Sequence, residues 1–322
     1  MNAWLLYFKE SAIYNQKYIE FYIEEGKKLG ITIKLVLIEE LDFGIYQNKL
    51  YLTIKGENLR HPDFVICRAI YPLLSKQLEL MGIKVFNSAL VSEICNDKAK
   101  TYQYLAKSGI KMIDSNFYLN SQLKEVLEKV KQPSVIKAVE GHGGNQVFLL
   151  EPSLNDVVGE SKNECEKENK DDYENNAEND SKNNCKNVCT NSNNITRIIK
   201  GVGNSDVVVQ PLIGSKYQDL RVYVIGKEIV AAVLRTAREG FKANFSLGGE
   251  VSLYRLTEEE QKLVYKIINQ FDFGLVGIDF IIGDQKELIF NEIEDVVGSR
   301  MLYKCSDINI VEKYLKHICE QL

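Results

Sequence analysis

Apolar and polar positions along the first 95 residues alternate in a way that predicts strands and helices in turn. Short apolar runs indicate buried strands. Segments with apolar residues at helical spacing lie between them, and a glycine ends each helix. Strands are predicted over Ala3–Phe8, Ile31–Ile38, Asp63–Ala69 and Ile83–Phe86, helices over Tyr14–Leu29 and Leu73–Met81, and a hairpin over Asp42–Ile54. Strands that alternate with helices predict a parallel sheet covered on both faces.

A glycine-rich turn is the main feature of the next segment. The turn contains Gly141, Gly143 and Gly144 and lies between two apolar runs. Because strand, tight turn and strand form a hairpin, it is not the strand–loop–helix of a P-loop or a dinucleotide fingerprint. The elements predicted around it are a helix over Ser88–Lys107, a strand over Met112–Tyr118, a helix over Gln122–Lys131, and strands over Ser134–Val139 and Gln146–Leu150.

Residues 159–194 differ sharply in composition from the rest, since they are almost all Asn, Glu, Asp, Lys and Ser. Such a segment buries too little apolar surface to offset its ordering entropy, and it is predicted to be a disordered surface insertion. Cys185 and Cys189 lie in it without a second Cys or His pair, so we interpret them as incidental thiols and not as a metal site.

The pattern after the insertion predicts a mostly antiparallel α+β region. One helix is predicted over Glu258–Phe271, and Thr257 with Glu260 forms a capping box before it. The strands are predicted over Asp206–Pro211, Leu220–Val224, Glu228–Thr236, Glu250–Tyr254, Leu275–Ile281 and Glu287–Ile293.

Composition narrows the class of protein. The chain has 322 residues, 45% of them apolar, which is enough for two or three globular domains. A net charge of −5 argues against a general nucleic-acid binder. The apolar run Ala3–Phe8 is too short to span a membrane, and no signal-peptide pattern follows it. Seven scattered cysteines are no disulfide framework, which favours a reducing, cytoplasmic location.

Three carboxylates interrupt apolar strands and form the first candidate site. Asp279 lies in one such strand, and Glu292 and Glu294 share a face of the next. Carboxylates are rarely buried unless they are paired or bind a metal. Adjacent strands would bring all three together, and oxygen ligands without His or Cys suit Mg²⁺. The alternative is that the two glutamates lie on a solvated face and that Asp279 ends its strand.

Basic residues form the second candidate set. Lys98 in a helical region and Lys137 in an apolar strand are candidate phosphate ligands, and the glycine turn beside Lys137 could close over a polyphosphate. Arg235 ends an apolar strand and could stabilise charge on a transferred phosphoryl group. Arg68, Arg221 and Arg300 are candidate anchors for a substrate carboxylate.

The ordered set of these motifs resembles the RimK-like branch of the ATP-grasp superfamily. The resemblance covers nearly the whole chain outside the insertion, and the order of the motifs is more specific than any one of them. The matching stretches are Asn96–Lys98, Val135–Gly141, Val208–Ile213, Asp219–Val222, Ala231–Gly249, Gly277–Asp279 and Asn291–Glu294. It implies an α/β and α+β fold, with an N-terminal parallel-sheet domain over 1–95 and a two-lobed ATP-grasp domain over 96–322. Its lid subdomain would cover about 110–213.

The resemblance also implies roles for individual residues. Arg235 would stabilise an acyl phosphate, and Asp279, Glu292 and Glu294 would hold Mg²⁺, with Mn²⁺ as an alternative. ATP would be bound by Lys98, Lys137, Gly141, Gly143 and Gly144, by the backbone of Gln210, Pro211 and Leu212, and by Asp219, Lys242 and Asn244.

Two positions depart from the family pattern. Pro211 stands where the family usually has a glutamate in the adenine hinge, so backbone recognition survives and a side-chain contact does not. Glu294 stands where the last metal ligand is usually asparagine. It remains an oxygen ligand but adds a negative charge, which would alter metal affinity or metal number.

The implied reaction is the joining of a carboxylate to an amine. A substrate carboxylate would attack the γ-phosphate of ATP, and an amine would then attack the acyl phosphate to give an amide, ADP and phosphate. Substrates would be an amino acid or another amine and a carboxylate, for example a peptide or protein C-terminus; a homodimer or higher homo-oligomer is the default expectation. An ATP-binding regulator without ligase activity and a small-molecule kinase are the alternatives. Asp279→Asn or Glu292→Gln should abolish ADP formation and leave the fold intact.

Overall fold

The protein forms two compact units. The computed structural model describes residues 1–58, 60–144, 146–152, 193–214, 218–236 and 250–322. The first unit comprises Met1–Met112 and Gly214–Leu322, and the second comprises Ile113–Ile213. The domain boundary predicted near residue 95 stays a prediction, because both sides of it lie in the first unit. The predicted insertion, apart from residues 193 and 194, lies outside the described residues.

The N-terminal strands of the first unit form a parallel sheet, as the alternating pattern predicts. Its order is β2-β1-β5-β6, and β3 and β4 form a separate antiparallel hairpin. In chain order the strands are β1 (Asn2–Tyr7), β2 (Thr32–Leu37), β3 (Leu41–Tyr46), β4 (Lys49–Ile54), β5 (Phe64–Cys67) and β6 (Lys84–Phe86).

The helices of this region differ from the prediction at two places. Helix α1 (Lys9–Tyr14) was not predicted, since the first predicted helix covers Tyr14–Leu29. The single helix predicted over Ser88–Lys107 is two helices, because the Asp97 carboxylate caps the second one by accepting a hydrogen bond from the Lys100 backbone N–H at 2.8 Å. The break makes Lys98 the first residue of a new helix. The helices are α1 (Lys9–Tyr14), α2 (Gln16–Lys28), α3 (Pro72–Leu80), α4 (Ala89–Cys95) and α5 (Lys98–Leu105).

The second unit is an antiparallel sheet in the order β7-β10-β8-β9 with helices against it. The predicted hairpin on either side of the glycine turn is confirmed as β8 and β9. A helix over residues 193–202 was not predicted, although Ile195, Ile198 and Val202 are buried at helical spacing. The elements are β7 (Asn116–Tyr118), α6 (Leu123–Glu128), β8 (Ser134–Ala138), β9 (Val147–Leu150), α7 (193–202) and β10 (Val207–Pro211).

The C-terminal part of the first unit is a five-stranded antiparallel sheet in the order β13-β12-β11-β14-β15. The capping box of Thr257 and Glu260 is present at the start of α8. The elements are β11 (Gln218–Ile225), β12 (Glu228–Thr236), β13 (Glu250–Tyr254), α8 (Glu258–Ile268), β14 (Leu275–Ile282), β15 (Leu288–Glu294), α9 (Arg300–Cys305) and α10 (Ile310–Gln321).

Both faces of this sheet are covered by apolar packing. Leu220, Val222 and Ile278 point into a core shared with α5 and α8, whereas Tyr223 and Val233 point into a core shared with α9 and α10. The last two helices were missing from the prediction. The architecture confirms the predicted fold class of a parallel sheet followed by antiparallel sheets.

Candidate active site

Strand register brings the predicted charged residues to one face of the five-stranded sheet. Asp279 on β14 lies opposite Arg221 on β11 and opposite Glu292 on β15. Asp219 precedes Arg221 by two residues, and Arg235 on β12 lies opposite Asp219. Since side chains alternate along a strand and opposite residues share a face, these groups form one charged row across four strands.

Asp279 is the centre of this row. Its side chain is 1% exposed. Arg221 donates to both carboxylate oxygens, from Nε at 2.7 Å and from a terminal nitrogen at 2.6 Å, and Arg235 donates to Oδ2 at 2.7 Å. Arg235 also pairs with Asp219, and Arg221 contacts Glu294 Oε1 at 2.7 Å. The row is therefore a continuous network of ion pairs.

The network moves the pKa values of the two aspartates in opposite directions. Burial alone would raise the pKa of Asp279, but Arg221 and Arg235 together hold it at about 2. Burial raises the pKa of Asp219 to about 6, with Arg235 opposing the shift and the Asp279 charge adding to it. Burial likewise raises the pKa of Glu294, against the pull of Arg221. Asp279 is thus the group held most firmly as a carboxylate.

The three predicted metal ligands come together. Ligand oxygens of Asp279, Glu292 and Glu294 all lie within 4.8 Å of one another. The register of β14 against β15 shifts by one residue directly after Asp279. Because of this shift, Glu292 and Glu294 lie on the same face of the sheet as Asp279. Clustered carboxylate oxygens without His or Cys fit a hard divalent cation. The residues present therefore fit Mg²⁺, although Arg221 already contacts two of the three carboxylates.

Lys98 lies beside these acids. Its side chain is 9% exposed, and Nζ is 3.4 Å from Glu292 Oε2. The start of its helix is fixed by a neighbour, because Asn96 donates to the buried Asp295 carboxylate at 3.0 Å. Asn87 donates to the same carboxylate and to the carbonyl of Leu275 at 2.9 Å. This polar network joins the Lys98 helix to the ends of β14 and β15, and sequence reasoning assigned it no role.

The three candidate carboxylate anchors have different surroundings. Arg221 forms ion pairs with Asp279 and Glu294. Sequence reasoning missed these pairs because they depend on strand register. Arg68 is buried and donates to the Val297 carbonyl at 2.8 Å. Arg300 donates to the Tyr14 hydroxyl at 2.8 Å and stacks over its ring at the exposed end of α9.

The remaining predicted ATP contacts that are described lie in the second unit. Lys137 is buried in β8, opposite Val208 of β10. The Gly141–Gly144 turn joins β8 to β9, and Gly143 and Gly144 have φ of 65° and 75°, which favours glycine. Gln210 and Pro211 end β10. The Leu212 N–H donates to the Pro133 carbonyl at 2.9 Å.

Two predicted nucleotide contacts, Lys242 and Asn244, lie outside the described residues. Their roles, and those of the other predicted ATP ligands, stay predictions. Within the described parts of the chain, no helix is both long and apolar enough to cross a membrane.

Comparison with known proteins identifies what the chain is similar to. A family model described as the RimK-like ATP-grasp domain matches residues 95–164 and 182–318. The chain is 25% identical over 274 residues to the ribosomal protein bS6–L-glutamate ligase of Escherichia fergusonii, covering 82% of this chain and 79% of that protein.

Solved structures share the fold. A RimK domain ATP-grasp protein from Sphaerobacter thermophilus matches with a TM-score of 0.64 at 16% identity, covering 99% of this chain and 98% of that one. The ATP-grasp ligase PsnB, complexed with a phosphomimetic variant of its minimal precursor, Mg and ADP, matches with a TM-score of 0.62 at 13% identity, again over 99% and 98% of the two chains.

Proposed function

This chain belongs to the RimK-like ATP-grasp family, and on that basis we propose that it is an ATP-dependent carboxylate–amine ligase. The observation that carries the proposal is the cluster of Asp279, Glu292 and Glu294, whose ligand oxygens lie within 4.8 Å of one another beside Lys98 and two arginines. A glutamate ligase among the relatives and a ligase structure with Mg and ADP support the same reaction class.

We assign the cofactors as ATP and Mg²⁺, with Mn²⁺ as a substitute that oxygen ligands also accept. Asp279, Glu292 and Glu294 would hold the metal. A divalent cation bound there would neutralise charge on the phosphate being transferred. We propose that Lys98 would contact a phosphate oxygen, and its position beside Glu292 at the start of its helix supports this role.

The proposed reaction has two steps. A substrate carboxylate oxygen attacks the γ-phosphorus of ATP, the bond from that phosphorus to the β-phosphate oxygen breaks, and ADP leaves. An amine nitrogen then attacks the acyl carbon, phosphate leaves, and the nitrogen loses a proton as the amide forms. Arg235 is held by Asp219 and Asp279, so its guanidinium is fixed in orientation before charge develops on the acyl phosphate.

We infer that the substrates are an amino acid and a carboxylate carried by a small molecule, a peptide or a protein C-terminus. The glutamate ligase and the precursor-bound ligase among the similar proteins support this class. We place the reaction in the cytoplasm. The described cysteines are free thiols, and two of them, Cys67 and Cys95, are buried, which fits a reducing compartment.

The proposal is tested by measuring ADP release from ATP and Mg²⁺ with purified protein, over amino acids and short peptides alone and in pairs. A ligase is expected to sustain ADP release over many turnovers only when both a carboxylate and an amine are present, because the carboxylate alone can yield about one ADP per active site before the acyl phosphate accumulates. Mass spectrometry should show the amide. Glu292→Gln is the matched control, because this glutamate is partly exposed and its loss should leave the fold intact.

Two outcomes would contradict the proposal. ATP binding without ADP release for any pair would identify a nucleotide-binding regulator. Hydroxylamine traps an acyl phosphate as a hydroxamate, so ADP release with a phosphorylated hydroxyl product and no hydroxamate would identify a kinase.

A further inference from the structure

Among the described residues, one buried arginine outside the ion-pair row forms no ion pair with a carboxylate. Arg68 follows β5, and its side chain donates to the carbonyl of Val297 at 2.8 Å. The hydroxyls of Tyr7, Tyr22 and Tyr18 surround it. The buried Asp295 carboxylate also acts on it electrostatically, but that carboxylate accepts hydrogen bonds from Asn87 and Asn96. The Tyr18 ring lies under the guanidinium, 5.5 Å from its central carbon. A cation this deeply buried normally has an anionic partner.

The groups around Arg68 can donate more hydrogen bonds than they make. Among the described residues, Arg68 Nε and the hydroxyls of Tyr7 and Tyr22 have no hydrogen-bond partner of acceptable geometry. Tyr7 is 1% and Tyr22 is 0% exposed. Burial raises the pKa of both hydroxyls, so they carry their protons at neutral pH. The Tyr7 hydroxyl oxygen lies near enough to Arg68 to interact with it, which leaves the hydroxyl proton without an acceptor. Buried polar groups are nearly always satisfied, so the Nε–H of this cation and the two hydroxyl protons beside it indicate a missing acceptor.

The chemistry of the missing acceptor follows from the donors. An N–H of a guanidinium and two O–H groups around a positive charge are matched by a compact anion with oxygen acceptors, and arginine is well suited to carboxylates.

The position in the fold favours a substrate group. Tyr7 and Arg68 lie at the carboxyl ends of β1 and β5, two neighbouring parallel strands, which is the edge where open α/β sheets bind ligands. The loop that contacts Arg68 and Tyr18 follows β15, the strand that carries Glu292 and Glu294. Val297 accepts from Arg68, and Ser299 shares a hydrogen bond of 2.9 Å with the Tyr18 hydroxyl. Glu294 is only three residues before Val297.

We propose that Arg68, Tyr7 and Tyr22 form a binding site for a carboxylate group of the amino-acid or peptide substrate. The site holds the carboxylate that does not react and so orients the substrate toward the ion-pair row. This inference rests on the proposed ligase function for the identity of the substrate, but binding can be measured without ATP, metal or turnover.

The test is the thermal stability of the purified full chain with acetate, glutarate or L-glutamate, and with glutamate dimethyl ester, which has no free carboxylate. The free carboxylates should raise the unfolding temperature in a concentration-dependent manner, and the ester should not. Sulfate is included to separate a carboxylate site from a site for any anion.

Tyr22→Phe and Tyr7→Phe are the informative variants, because each removes one hydroxyl and keeps the ring. Without added ligand they should be as stable as the wild type or more stable, since a donor without an acceptor is removed. Their affinity for the stabilising carboxylate should fall about tenfold or more, as expected for loss of a hydrogen bond to a charged group. Arg68→Lys, which keeps the charge and loses Nε, should weaken binding as well.

Tyr303→Phe is the matched control. Tyr303 on α9 also has a buried hydroxyl without a well-formed hydrogen bond among the described residues, but this hydroxyl lies against the backbone of Ile310 and Val311 at the start of α10. This variant should bind the carboxylate with wild-type affinity.

Three results would overturn the inference. One is the absence of any carboxylate-dependent shift in the wild type, and another is an equal shift in the wild type and Tyr22→Phe. The third is loss of stability in Tyr22→Phe without ligand, which would mean that an ordered water already satisfies the hydroxyl. Failure of ADP release with intact carboxylate binding would instead count against the ligase proposal alone.

Discussion

Asp279→Asn is expected to destabilise the first unit as well as to remove a proposed metal ligand. Asn keeps the shape of the side chain but removes its charge, and its NH₂ group turns toward guanidinium groups that are also donors. Three hydrogen bonds of 2.6 to 2.7 Å are affected, and they come from Arg221 and Arg235, whose side chains are only 6% and 4% exposed. Breaking a buried ion pair from one side costs about 3–5 kcal/mol.

Glu292→Gln is the contrasting variant. Its side chain is 28% exposed, and the distance to Lys98 Nζ is 3.4 Å, longer than the 2.6 to 2.7 Å contacts of Asp279. Lys98 is only 9% exposed, but the longer distance and the solvation of Glu292 should keep the cost of this substitution to roughly 1 kcal/mol. The structure therefore predicts that Glu292→Gln spares the fold, in line with the expectation from sequence, and that Asp279→Asn does not.

Urea unfolding followed by tryptophan fluorescence measures this difference directly. The chain has one tryptophan, Trp4, which lies in β1 of the first unit and is 5% exposed. With a urea dependence of about 3 kcal/mol per molar, the Asp279→Asn midpoint should fall by about 1 M or more. The Glu292→Gln midpoint should stay near that of the wild type, and both variants should lack ADP release. An unchanged midpoint for Asp279→Asn would refute the reasoning from the buried ion pairs.

Three further predictions concern pH, packing and capping. Burial raises the pKa of the Asp219 carboxyl to about 6, so the unfolded chain loses this proton at a lower pH than the folded chain does. The free energy of unfolding of the wild type, relative to that of Asp219→Asn, should therefore decrease as the pH rises from about 4 to about 7, and urea midpoints measure this decrease. Gly277→Ala would place a Cβ 2.6 Å from Val297 and 3.3 Å from Arg221, so we expect a loss of about 1–3 kcal/mol and lower turnover. Thr257→Ala removes a helix cap and should cost about 1 kcal/mol without changing ADP release.

Local signals in the sequence were sufficient for most of the fold. The capping box at Thr257 and the continuous apolar runs of β1 and β14 gave correct elements, because a capping motif or a buried run is decided by neighbouring residues. The helix break at Asp97 was not predicted, although its signal is also local. Aspartate is a typical N-cap residue, because its carboxylate accepts a hydrogen bond from a backbone N–H of the first helical turn. Helix α10 was missed although Val311, Tyr314 and Ile318 are buried at helical spacing.

The site was predictable in its members and not in its pairings. The resemblance to a family and the apolar strands indicated Asp279, Glu292 and Glu294, and the structure brings their oxygens together. The pairing of Arg221 with Asp279 could not be derived from the sequence, because it depends on the register of β11 against β14. A shift of one residue would have turned the arginine to the other face.

The pairing of Glu294 changes the interpretation of the glutamate that stands in place of the family's asparagine. Its added charge is not left uncompensated, since Arg221 lies 2.7 Å from Oε1. Among the described residues, the row together with Glu294 and Lys98 comprises four carboxylates and three basic groups, so one negative charge remains. A divalent cation bound there would neutralise that charge. It would also compete with Arg221 for the carboxylate oxygens of Asp279 and Glu294. The charge of Glu294 is therefore balanced by Arg221, which also pairs with Asp279, and this substitution is not by itself a sign of lost activity.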